Sequence, residues 1–107
     1  MHFAVDNIRH KSLLEVLHSP LFAEYQKRQP FSENMLRPCP IIDNPQELRN
    51  ILQAAGAHPT HEGAETVLEG EIGSFLDQRS AEWKRICDPI WEERCRCKAA
   101  EEQRNAV

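Results

Sequence analysis

Long hydrophobic runs are missing from these 107 residues, and with them any segment able to span a bilayer. A basic excess is missing too. Thirteen lysines and arginines stand against seventeen acidic side chains, and the resulting −4 argues against nucleic acid as the main partner. The opening Met1-His2-Phe3-Ala4-Val5-Asp6 has neither the charged start nor the long apolar core of a secretion signal. A cytoplasmic protein with no membrane attachment is the expectation. Paired cysteines are absent: Cys39, Cys87, Cys95 and Cys97 include no C-x-x-C, the spacing used by zinc ribbons and redox centres. Without a secretion signal they do not read as a disulfide framework. Gly-x-Ser-x-Gly, a phosphate-binding loop and the paired histidines of a zinc protease are all lacking. No repeat or low-complexity stretch appears, and no complete active site is visible.

What remains is a globular composition, 40% hydrophobic and 28% charged, of a length that suits one small domain or a piece of a larger one. The pattern predicts a mainly α fold of four to five helices with irregular loops. At most there is a short N-terminal strand at His2-Phe3-Ala4-Val5. Ser12-Leu13-Leu14-Glu15 has the form of a capping box, in which hydroxyl and carboxylate each serve the other residue's backbone N–H. Ser19-Pro20 starts a second helix, which must stop near Gln29-Pro30. Residues 31–42 follow neither period, and Pro38 and Pro40 hold Cys39 extended.

Asn44-Pro45-Gln46-Glu47 predicts a further start, with Asn44 as cap and Glu47 closing a box. Leu48, Ile51, Leu52 and Ala55 then form one buried stripe, and Gly56 ends the helix. From Val67 to Trp91 a second stripe runs through Ile72, Phe75, Leu76, Trp83, Ile86, Cys87 and Ile90, expected as core. Pro89 predicts a kink there, or a restart with Asp88 as cap.

Few residues are candidates for chemistry. Cys39 between two prolines suits a metal or iron–sulfur ligand, though a small apolar residue packed in a loop is the plainer reading. Cys87 falls on the apolar stripe. Cys95 and Cys97 point about 200° apart on a helix and read as surface thiols. His58-Pro59-Thr60-His61 places two imidazoles in a loop, where solvation is the plain reading. A small zinc protein using Cys39, His58, His61 and one terminal cysteine stays open as an alternative. So does a free-standing helical interaction module.

Several phrases carry a resemblance. These are His2-Phe3-Ala4-Val5-Asp6-Asn7-Ile8, Lys11-Ser12-Leu13-Leu14-Glu15-Val16-Leu17, Ser19-Pro20-Leu21-Phe22 and Arg28-Gln29-Pro30-Phe31-Ser32-Glu33-Asn34. Leu36-Arg37-Pro38-Cys39-Pro40-Ile41-Ile42-Asp43-Asn44-Pro45 and Gly56-Ala57-His58-Pro59-Thr60-His61 complete the set. Together they resemble the C-terminal extension of radical S-adenosylmethionine proteins, the auxiliary-cluster region called SPASM or twitch. The Arg-Pro-Cys-Pro and Asp-Asn-Pro phrases are its most specific part.

The resemblance implies a partial auxiliary iron–sulfur region over residues 1–42 and a helical extension over residues 43–107, both belonging to a larger α/β barrel protein. In that family the barrel binds a [4Fe–4S] cluster and S-adenosylmethionine through a Cys-x3-Cys-x2-Cys triad, which this sequence lacks. The C-terminal region adds cysteines for a further cluster. Cys39 matches the cysteine of the Arg-Pro-Cys phrase and is the metal ligand implied. A further family cysteine is expected just before the His-Phe-Ala-Val phrase, where this sequence has Met1. The implied role is to cap the barrel, its partner, and to contribute one cluster ligand without catalysing anything alone.

Overall fold

The computed structural model describes residues 3–106. Among them are four α-helices, α1 (Leu13–Leu17), α2 (Pro20–Arg28), α3 (Pro45–Ala55) and α4 (Gly70–Asn105). A 3-10 turn spans Ala64–Val67, and two short strands, β1 (Phe3–Ala4) and β2 (His58–Pro59), pair antiparallel. The mainly α expectation holds, with a short strand near the N-terminus. His2, placed by sequence at the start of that strand, lies outside the described residues. The partner strand falls within a stretch that the sequence presents only as loop. Phe3 faces Pro59 and Ala4 faces His58, so the pairing ties the N-terminal segment to the end of α3.

The start of α1 follows its sequence closely. The Glu15 N–H donates to Ser12 Oγ at 3.2 Å, as a capping box requires. The reciprocal contact differs: the Glu15 carboxylate accepts from the Ser12 hydroxyl at 3.1 Å instead of from its backbone N–H. Helix α3 begins at Pro45 and ends at Gly56, whose φ of 65° is the left-handed conformation that glycine adopts freely. Asn44 does not cap it with its side chain, which is used elsewhere.

Phe3, Leu21, Leu48, Ile51 and Leu52 form the core, with Val5, Tyr25, Phe31, Val67 and Leu68 packed around them. It joins β1, α2 and α3, and Arg28 of α2 reinforces the contact by pairing with Glu24 at 3.1 Å and Glu47 at 3.5 Å. Tyr25 and Phe31 meet edge to face with centroids 6.0 Å apart.

Helix α4 departs from expectation. At 1.5 Å per residue its 36 residues reach about 54 Å, far beyond so small a core. The radius of gyration is accordingly 18.0 Å, where a compact chain of this length would have about 13 Å. Cys87 is fully buried, but Ile72, Phe75, Trp83, Ile86 and Ile90 are exposed. The predicted second core stripe is therefore largely a surface, because α4 outruns the elements available to cover it. Nor does the helix restart at Asp88. It runs through Pro89, and the Asp88 carboxylate is engaged across the fold instead of capping.

Arg49 of α3 clamps the segment leading into α4 to the helix itself. Its guanidinium donates to the Leu68 carbonyl at 3.2 and 2.9 Å and pairs with Asp77 at 2.8 Å. Gly73 lies beneath this clamp, against the Leu68 backbone.

Candidate functional site

The loop from Phe31 to Asn44 has no regular structure, so its polar backbone must find partners one by one. Asn34, almost fully buried, organises it. Its Oδ1 accepts from the Leu36 N–H at 2.8 Å, and its amide donates to Asp88 Oδ1 at 2.7 Å and approaches Cys87 Sγ at 3.5 Å. The Arg37 Nε donates to the same Asp88 oxygen at 3.0 Å. The Trp83 indole N–H donates to the Leu36 carbonyl at 2.9 Å. Three side chains from one helix thus seize one loop.

Beyond Arg37 the chain turns around Cys39. The Asn44 amide donates to the carbonyls of Arg37 at 2.9 Å and Cys39 at 3.0 Å, which is why it does not cap α3. The Cys39 N–H donates to Asp43 Oδ2 at 3.0 Å. The Ile41 N–H points at Cys39 Sγ at 3.4 Å. Cys39 is half-buried, and Pro38 and Pro40 contribute no competing donors. The result is a thiol held in a fixed turn with one backbone donor aimed at its sulfur. Burial, and secondarily the charge of a Cys39 thiolate, push the Tyr25 hydroxyl up from its ordinary range.

The Asn34 hydrogen bond, together with the charge and hydrogen bond of Arg37, holds the Asp88 carboxyl below the usual carboxylate range against the opposing effect of burial. A carboxyl that titrates lower folded than unfolded stabilises fully above about pH 4, and that stabilisation is lost as pH falls through the folded value. Asp88→Asn is therefore expected to flatten the acid limb of the stability profile. Denaturant midpoints at about pH 3 and about pH 6 check this, and an unchanged acid limb would remove Asp88 from the account.

Against the core lies a cavity of about 510 Å³ lined by Phe3, Leu21, Phe22, Tyr25, Gln29, Ile41, Leu48, Leu52 and Val67. No charged group lines it. Four of its walls are core residues, so the core stands open on this side.

Other sequence candidates are scattered. Among the described residues no group of three or more His, Cys, Asp or Glu side chains is placed to hold a metal ion. The zinc set of Cys39, His58, His61 and a terminal cysteine is not assembled. His58 lies on exposed β2, and His61 Nδ1 lies 3.0 Å from the Glu62 carbonyl oxygen. Cys95 and Cys97 are exposed on α4. Sequence reasoning missed the meeting of Asn34 and Arg37 with Asp88, which lies more than fifty residues further along the chain. No local pattern marks them, since a polar residue precedes six of the seven prolines.

No family model matches the chain, and neither a curated protein nor a solved structure matches it. The resemblance to radical S-adenosylmethionine proteins thus rests on the residue phrases that carry it. Among the described residues no helix is long and apolar enough to cross a membrane.

Proposed function

We propose that this chain is a non-catalytic docking region of a radical S-adenosylmethionine protein, seated on the barrel through its open core. The observation that carries the reading is the cavity of about 510 Å³ whose walls are the core itself. An apolar surface of that kind, with Phe22 and Ile41 exposed at its edge, is what a larger domain covers. The residue phrases name the kind of domain.

Within this reading Cys39 is the one ligand given to an auxiliary cluster. The Ile41 N–H directed at its sulfur suits a thiolate, since hydrogen bonds to sulfur tune such centres. The described residues alone do not fit a cluster, because no second thiol or carboxylate set joins Cys39. The remaining ligands would come from other segments, and no reaction step is assigned to this chain. Reductive cleavage of S-adenosylmethionine would belong to the barrel. A reducing, cytoplasmic setting agrees with four free cysteines.

The reading is tested by the coding sequence adjoining that of Met1. A barrel carrying Cys-x3-Cys-x2-Cys, in frame or in the neighbouring gene, is the expected finding. Its absence from both would overturn the reading and leave a free-standing helical module, to which the uncovered face of α4 already lends support.

A further inference from the structure

No α4 residue lines the open cavity, yet α4 carries an apolar surface of its own. Ile72, Phe75, Trp83, Ile86 and Ile90 are between 37% and 63% exposed. At 100° per residue they and Arg79 fall within a strip about 80° wide, displaced from the side on which Gly73 and Cys87 are buried. The strip is about 27 Å long. Its charged centre is unusual: Arg79 makes no ion pair among the described residues, although Glu82 lies one turn away and is taken by Arg85 at 3.0 Å. Phe75, Arg79, Glu82, Trp83 and Ile86 line one shallow hollow.

We propose that this strip pairs with the same strip of a second copy, antiparallel, about a point level with Ala81. The order of side chains is nearly palindromic around that level. Ile72 and Ile90 lie nine residues to either side, and Arg79 and Trp83 two to either side. Phe75 and Ile86 lie six and five residues from it, within one residue of facing each other. Each Arg79 then lies over the indole of the second copy's Trp83, a cation–π contact, with the Glu82–Arg85 pair of that copy alongside.

The indole is held in place, because its N–H is fixed on the Leu36 carbonyl at 2.9 Å. A parallel pair would set Arg79 on Arg79 and Glu82 on Glu82, so charge selects the antiparallel register. Two strips remove on the order of 1,000 Å² from water, the low end of specific interfaces, so association is expected at micromolar concentration. The proposal uses a different face from the docking of the open core and stands independently of it.

Sedimentation velocity on the full chain from about 5 to about 200 µM tests the pairing, with an expected shift from monomer to dimer across that range. Phe75→Glu is expected to weaken the dimer at least about a hundredfold and Arg79→Glu about tenfold, both with unchanged helical circular dichroism. Orientation is read in a Cys95→Ser, Cys97→Ser background by oxidising Ile72→Cys mixed with Ile90→Cys. In an equimolar mixture, mixed disulfides between positions 72 and 90 are expected to exceed the two homodisulfides together, since random pairing would only equal them. A monomer throughout, a dimer indifferent to Phe75→Glu, or a predominance of homodisulfides would each overturn the proposal.

Discussion

Ile51→Ala is expected to destabilise the fold by about 2–5 kcal/mol, the cost of truncating a buried aliphatic side chain and leaving a void behind. Ile51 is fully buried at the centre of a core of only five buried residues, so little surrounding mass can collapse into the space. Domains of this size are held by about 5–15 kcal/mol, and the variant would lose a large fraction of that. Ile90→Ala is the control. Both are isoleucines on helices, but Ile90 is 56% exposed, and its truncation in dilute monomer should change stability by no more than about 0.5 kcal/mol. Urea midpoints for the two variants check the contrast. Equal losses would mean that α4 is covered within the monomer.

Gly73→Ala is the second large effect, and its sign separates tertiary contact from helix propensity. In an isolated helix, alanine for glycine would stabilise by about 1 kcal/mol. Here a β-carbon at position 73 would meet the Leu68 carbonyl carbon and oxygen at 2.7 Å each, and both are backbone atoms. The start of α4 would have to move away from Leu68, whose carbonyl receives the two Arg49 donors. A loss of about 1–3 kcal/mol is expected. Denaturation monitored by circular dichroism distinguishes the outcomes, and a gain in stability would show that α4 does not pack as described.

Legibility in the sequence followed the range of the interactions. Ser12, Pro20, Pro45 and Gly56 act within a turn of themselves, and the helix boundaries they imply agree with α1, α2 and α3. The stripe Leu48, Ile51 and Leu52 is buried because α2 and β1 are close enough to cover it. The stripe from Ile72 to Ile90 has the same period and is largely exposed, because periodicity marks an apolar face without naming what covers it. Asn44 shows the converse failure. It is a good cap by type, but the Arg37 and Cys39 carbonyls compete for its amide, and they belong to a loop without a period. Asn34, Arg37 and Asp88 meet only through that loop, so neither their network nor the fixed turn at Cys39 could be read locally.

The claim that the open core seats a barrel is tested most directly by calorimetric titration. This chain would be added to the barrel that the proposal requires, made as a separate polypeptide. Phe22 lies exposed at the cavity edge, so Phe22→Glu leaves the folded core intact while placing a charge at the contact. The account predicts a one-to-one complex that Phe22→Glu weakens by about tenfold or more, equal to about 1.4 kcal/mol. No binding by the wild-type chain, or the same affinity with Phe22→Glu, would contradict it.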